Sequence, residues 1–207
     1  NEVGILFKDL LIGVTSFFRD AAMWKTLKEK VIPALITQSP NGYIVRAWVP
    51  GCSTGEEAYS LAIVFKEALE SFPIPKKLTL QIFATDLDSD AIEKARKGSF
   101  PKGISADVSP ERISRFFTVE GDKYRLNIEI REMVVFAAQN VIKDPPFTKL
   151  DILSCRNMLI YMEPELQQKL IMQFNNSLNS GGILVLGSSE FLGYHIPSEV
   201  FKKVGLW

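Results

Sequence analysis

The chain has 207 residues, 46% of them hydrophobic, enough to bury a sizeable core as one domain or one domain with a small appendage. Its 24 basic residues balance 24 acidic ones, so no overall field draws it to nucleic acid or to an anionic membrane. Two cysteines, Cys52 and Cys155, and one histidine, His195, are too few for a common zinc site. Both cysteines lie in apolar contexts near strand ends, which predicts reduced thiols and a cytoplasmic protein. There is no signal-peptide pattern and no apolar run long enough to span a bilayer. A start at Asn1 and a stop at Trp207, just after a polar loop, read as a piece of a longer chain.

In chain order, Leu6, Leu10, Leu11 and Ile12 predict a short helix ending near Gly13. Thr15-Ser16-Phe17-Phe18-Arg19-Asp20 follows, with Thr15 or Ser16 as a candidate helix cap and the two phenylalanines as core. Met23, Trp24, Leu27, Val31 and Ile32 then place a second amphipathic helix up to Pro33. Arg19 sits between a phenylalanine pair and an acid, and the residues alone leave it open as an exposed ion-pairing face or a functional side chain.

Residues 43–49, rich in β-branched and aromatic types, read as a strand, and Ala58, Leu61, Ala62, Phe65 and Leu69 as a helix. Between them Gly51-Cys52-Ser53-Thr54-Gly55-Glu56-Glu57 forms a strand-to-helix turn. Small residues allow close approach of a ligand to the backbone, and the helix offers unpaired N–H groups. Such a turn after the first strand of an α/β sheet is where nucleotide-like cofactors dock. G-x-G-x-x-G is absent, and Glu56 and Glu57 would repel a pyrophosphate but welcome a cationic ligand, a pattern that prefers S-adenosylmethionine to NAD. A plain tight turn with acids on the helix dipole fits the same residues.

Residues 78–85 form a second predicted strand, closed by Asp86, an acid placed to accept two ribose hydroxyls. Asp88 or Ser89 is the expected cap of the next helix, over 91–97. From 98 to 131 the pattern changes: Ser99-Phe100-Pro101 breaks the helix, Ser109-Pro110 reads as a cap with a following proline, and 116–128 as a hairpin around Gly121. This stretch is expected to be a small antiparallel insertion. Residues 133–138 and 151–155 are further strands, a helix opens near Glu163-Pro164-Glu165, and Leu178 to Gly182 is expected to end it before a strand at 183–186. Asp86, Asn140, Arg156, Asn157, Ser188 and Glu190 thus gather at one end of the strands, the end where open α/β sheets bind ligands.

Thr15-x-Phe17-Phe18-Arg19, the block from Pro50 to Ser60, Ala84-Thr85-Asp86-Leu87-Asp88 and Cys155-Arg156-Asn157-x-x-Ile160-Tyr161 together resemble the CheR family of chemoreceptor glutamate methyltransferases, over nearly the whole chain. The resemblance implies a class I methyltransferase fold, Rossmann-like, mostly parallel with helices on both faces. It divides the chain into an N-terminal helical stub and linker, 1–40, and a cofactor-binding domain, 41–207, with a β insertion at about 99–133. It implies S-adenosylmethionine as cofactor, S-adenosylhomocysteine as product and no metal. Thr15, Arg19, Gly51, Ser53, Gly55, Glu56, Asp86, Asn140, Val141, Arg156 and Asn157 are the implied cofactor residues, and Arg19 and Tyr161 the groups beside the methyl.

The implied partner is a methyl-accepting chemoreceptor, with fused methylesterase and sensory domains, no nucleic acid and no insertion into a membrane. In some members the β insertion grips a receptor's peptide tail. Where the family carries a cofactor-contacting asparagine, two residues before Thr15, this chain has Gly13. A methyltransferase for another protein or small carboxylic acid, and a non-catalytic module sensing the cofactor or its product, stay open as alternatives.

Overall fold

The computed structural model describes residues 15–190, so the predicted helix over 6–12, Gly13 and His195 lie outside the described residues. The main strands are β1 (Ile44–Pro50), β2 (Thr79–Asp86), β6 (Val134–Ala138), β7 (Leu150–Cys155) and β8 (Leu178–Leu186). They form a five-stranded sheet in the order β6-β2-β1-β7-β8, parallel at every pairing. The chain steps outward from β1 through β2 to β6, then crosses back to lay β7 on the other side of β1. The direction of winding therefore reverses between β1 and β7, and the crevice outside their carboxyl ends is where such sheets take ligands.

Side-chain alternation explains how both faces are buried. Val45, Ala47 and Val49 of β1 belong to one core cluster with Ala58, Leu61, Ala62 and Phe65. Trp48 points the other way, into a second cluster with Leu153, Leu170, Ile171 and Phe174. Its indole N–H donates to Thr85 Oγ1 at 2.9 Å, so even the polar tip of a fully buried ring is satisfied. The helices around the sheet are α1 (Ala21–Thr26), a π-turn (Leu27–Val31), α2 (Ile32–Gln38), α3 (Glu56–Glu70), α4 (Ser89–Lys97) and α7 (Pro164–Ser177).

The insertion is a three-stranded antiparallel sheet, β3 (Ser99–Pro101), β4 (Phe117–Glu120) and β5 (Lys123–Leu126), in the order β3-β5-β4. Two short helices, α5 (Pro110–Phe116) and α6 (Ile128–Arg131), flank it. The expected mostly parallel sheet with a small antiparallel insertion is thus the observed architecture. Phe17 joins the two parts, its ring meeting Phe100 at 4.9 Å and Phe117 at 5.7 Å. Glu67 of α3 adds a polar joint, accepting from Arg112 Nε at 2.8 Å and Nη2 at 2.9 Å and from Lys28 at 2.8 Å.

Burial pushes the Glu67 carboxyl up, but the hydrogen bonds and charges of Arg112 and Lys28 outweigh it and hold the group below its ordinary value of 4.5. Its contribution is therefore fully present above that value and is lost as pH falls through the lower folded one. Glu67→Gln is expected to cost about 1–2 kcal/mol at pH 7, mostly from the Arg112 bonds, because the Lys28 side chain is 38% exposed. In urea titrations that deficit should shrink below about pH 4; a deficit independent of pH would show that the charge plays no part.

Several local expectations are corrected. The helix does not stop at Pro33: the chain widens to the π-turn just before it and continues to Gln38, with Ile32 N–H bonded to the Leu27 carbonyl. That wider turn accommodates a ring that would otherwise strike the preceding turn's carbonyl. Neither Thr15 nor Ser16 caps α1; Asp20 stands at that position without a side-chain cap bond. Ser99–Pro101 is a strand rather than a mere helix break, and the hairpin's second strand ends at Leu126, since Ile128 opens α6. Helix α7 ends at Ser177, and Gly181 and Gly182 fall inside β8, where its register against β7 shifts between Leu150 and Ile152. Asp88 is the cap of α4, accepting from Asp90 N–H at 3.0 Å, and Ser109 that of α5, both as expected.

Candidate functional site

The turn between β1 and α3 is shaped by three left-handed residues, Gly51 (φ 69°), Ser53 (φ 48°) and Gly55 (φ 95°). A Cβ at Gly51 would stand 3.1 Å from Met158 Sδ, and one at Gly55 would stand 3.0 Å from both Ala95 and Phe136. Glycine is required at both positions by conformation and by space. The turn is tied to β2: Cys52 N–H donates to the Thr85 carbonyl at 3.0 Å and Ser53 N–H to Asp86 Oδ2 at 2.8 Å. Asp88 N–H holds Asp86 Oδ1 at 2.9 Å. Each Asp86 oxygen thus receives one backbone N–H, which fixes the plane of the carboxylate and leaves each a lone pair for a ligand.

The two acids that open α3 face different ways. Glu56 accepts from Thr54 Oγ1 at 2.9 and 2.7 Å; burial raises its carboxyl above the ordinary value and the Thr54 bond lowers it. Glu57 turns inward to β7, where Ser154 Oγ donates to it at 2.7 Å and Arg156 Nη1 at 3.2 Å. Burial raises the Glu57 carboxyl, and the Arg156 charge and Ser154 bond only partly offset this. Of the pair, then, Glu56 remains available to a cationic ligand, while Glu57 is an internal counter-ion.

Arg156, at the end of β7, is the hub of the opposite wall, with a side chain 1% exposed. Besides Glu57 it donates through Nη2 to the Arg19 carbonyl at 2.9 Å and to the Asp20 carboxylate. Its Nε is buried without an acceptor among the described residues. Asn157 follows in the left-handed region (φ 58°), and the loop to the short turn Leu159–Tyr161 is held by Glu190, which accepts from Met158 and Leu159 N–H at 2.9 Å and from Gly187 N–H at 2.7 Å. Tyr161 is 50% exposed.

Beyond β6, Gln139 N–H bonds the Asp86 carbonyl at 2.9 Å. Asn140 then closes a turn, its side-chain oxygen accepting from Ile142 and Lys143 N–H, so its amide NH2 is the group left for a ligand. Val141 packs on the second core cluster. Thr15 is half-buried at the start of the described chain and Arg19 is exposed. The structure therefore brings Gly51, Ser53, Gly55, Glu56 and Asp86 into one bonded unit and joins Arg156 to the main chain of Arg19. Asn140 follows β6 and Asn157 follows β7, at the carboxyl ends of strands separated by β2 and β1, and Tyr161 closes the short turn after Asn157.

Ser60, Asp20, Trp24 and Ser154 were not singled out by sequence reasoning. Ser60 accepts from Phe18 N–H at 3.0 Å, and Trp24 Nε1–H donates to the Arg19 carbonyl at 2.8 Å. Ser60 closes the recognised block from Pro50 and Asp20 adjoins Arg19, so membership and proximity were the available signals; Trp24 carried none beyond its helical spacing. Among the described residues no group of three or more His, Cys, Asp or Glu is placed to hold a metal ion, and no helix is long and apolar enough to cross a membrane.

A family profile described as "CheR methyltransferase, SAM binding domain" matches residues 13–206. The chain is 44% identical over 192 residues to an "Uncharacterized 104.1 kDa protein in hypE 3'region" of Rhodobacter capsulatus, covering 93% of this chain and 20% of that protein. It is 34% identical over 181 residues to "Chemotaxis protein methyltransferase 1" of Pseudomonas aeruginosa, covering 86% and 66%. Against "Chemotaxis protein methyltransferase 2" of Vibrio cholerae it is 31% identical over 194 residues, covering 92% and 66%. The chain therefore spans a fifth of the first relative's length and 66% of that of the other two.

Proposed function

This chain belongs to the CheR methyltransferase family, and on that premise we propose that it is an S-adenosylmethionine-dependent methyltransferase that esterifies glutamate side chains on the cytoplasmic helices of a chemoreceptor. The length of the first relative, of which this chain covers 20%, supports a domain carried within a larger protein. That the larger protein is cytoplasmic and carries methylesterase and sensory modules is part of the proposal. Residues 1–40 and 41–207 are the proposed helical lead and cofactor-binding domain.

The residues present fit the cofactor. Gly51 and Gly55 keep the turn clear of side chains, Glu56 and Asp86 supply acids, and the orphaned Nε of Arg156 calls for an acceptor such as a carboxylate. Asp86 would accept the ribose hydroxyls, Glu56 would face the cationic end, and Thr15, Arg19, Ser53, Asn140, Val141, Arg156 and Asn157 would line the rest. When bound, the cofactor supplies an electrophilic methyl carbon on a sulfonium.

A glutamate carboxylate, with a pKa near ~4.3, is already ionised at neutral pH, and the group released by methyl transfer would be a neutral thioether, so the chain need supply neither a general base nor a general acid. The chain's own task is alignment: Arg19 and Tyr161 orient the acceptor carboxylate without protonating it. The observation that supports this reading is Arg156, which bonds both Glu57, beside the glycine turn, and the Arg19 carbonyl, so that the two segments meet at the switch point.

The test is transfer of label from methyl-tritiated S-adenosylmethionine to a purified chemoreceptor cytoplasmic fragment. A methyl ester releases the label as volatile methanol in alkali, and that is the expected result. Label that survives alkali, or that reaches only small carboxylic acids, would overturn the glutamate assignment.

A further inference from the structure

The Arg19 carbonyl is gripped from two sides, by Trp24 Nε1–H at 2.8 Å and by Arg156 Nη2 at 2.9 Å. Both donors are buried, Trp24 at 3% exposed and the Arg156 side chain at 1%. The residues on either side of Arg19 are left-handed, Phe18 at φ 52° and Asp20 at φ 64°. Non-glycine residues enter that region at a cost of about 1–2 kcal/mol each, and the strain persists only where the surroundings over-determine it.

Here they do. Phe18 is pinned by its N–H on Ser60 Oγ, and its ring carries the Arg112 guanidinium at 3.9 Å. Asp20 stands where a helix cap belongs, yet its carboxylate is bonded to Arg156. Three side chains, Trp24, Arg156 and Ser60, thus bond the backbone around one exposed arginine.

We propose that Trp24 is a positioning residue: its indole N–H fixes the Arg19 main chain and so the direction in which the guanidinium reaches the acceptor carboxylate. This rests on the reading of Arg19 as a catalytic residue. The competing account is that Trp24 only fills the core, where its ring meets Phe18 edge-on at 6.1 Å between centroids and lies 5.8 Å from the Arg156 guanidinium carbon. Trp24→Phe separates the two, since it keeps an aromatic ring in the core and deletes the donor.

The experiment is a double-mutant cycle of Trp24→Phe and Arg19→Ala, read both as single-turnover methyl transfer and as S-adenosylhomocysteine affinity by calorimetry, with melting as the fold control. Trp24→Phe should lower transfer about 10-fold and affinity about 3-fold, as expected for the loss of one buried hydrogen bond acting through another group. In the Arg19→Ala background it should change neither by more than about 2-fold. If its losses multiply with those of Arg19→Ala, or if Trp24→Phe is fully active, the positioning role is overturned. Full activity of Arg19→Ala by itself would instead overturn the catalytic reading, and the proposal with it. Should the phenylalanine variant melt far below wild type, 3-benzothienylalanine at position 24, isosteric with tryptophan but without the N–H, gives the same discrimination.

Discussion

Arg19→Ala is expected to lower methyl-transfer turnover by about 100-fold or more, the loss associated with removing a group that orients charge in the transition state. The melting temperature should move by no more than about 2 °C, because the side chain is exposed and substitutions of that kind are worth about 0.5 kcal/mol. Tyr161→Phe, which removes one phenolic hydroxyl from a half-exposed ring, should cost about 3- to 10-fold. Since the acceptor is ionised without help, wild-type turnover should be nearly flat from about pH 6 to 8, and the variants should keep that flatness. An Arg19→Ala enzyme of full activity would remove Arg19 from the chemistry.

The second large effect is on stability. Arg156→Met leaves Glu57, whose side chain is 16% exposed, as a buried charge without its cation. Breaking such a pair from one side costs about 3–5 kcal/mol, which in a domain of this size is a fall of about 10 °C in melting temperature. The Asp20 arm adds little, because that side chain is 40% exposed. Glu57→Gln in the same background removes the stranded charge and keeps a partner for Ser154, so the double variant should recover at least half of the loss. The sign with pH is set by Glu57: burial already holds its carboxyl above the ordinary value of 4.5, and losing Arg156 raises it further. A raised carboxyl stabilises the fold on protonation, so the Arg156→Met deficit should shrink as pH falls from 7 towards 5. A deficit that grows on acidification, or a double variant no better than the single, would contradict the pairing.

Much of the fold was legible because its signals are local. The apolar runs of β1, β2 and β7, the glycine turn and the acid closing β2 each sit within a few residues of sequence. Asp86 could be named as a candidate because it closes a strand at the end of the sheet where ligands bind, and the structure adds the two backbone N–H groups that hold its carboxylate. What was not legible depends on long-range pairing. Glu57 and Glu56 are neighbours in sequence, but successive helical residues are turned by about 100°, and β7 beside β1 gives Glu57 an internal partner 99 residues away. The grip on Arg19 likewise joins α1 to β7. β3 is three residues ending in proline, too short to show a period, and exists because β5 pairs with it. Pro33 and Gly181-Gly182 were read as stops by rules that hold for regular elements, and a π-turn and a register shift absorb them instead.

The measurement that tests the account most directly is isothermal titration of the chain with S-adenosylhomocysteine, beside NAD, in wild type and in Asp86→Asn. Wild type is expected to bind the thioether at micromolar affinity and not to bind NAD, and Asp86→Asn to bind about 30-fold more weakly, since it would lose the proposed charge-assisted bonds to the ribose hydroxyls. Binding of NAD in preference, or an Asp86→Asn variant as tight as wild type, would contradict the placement of the cofactor on this turn.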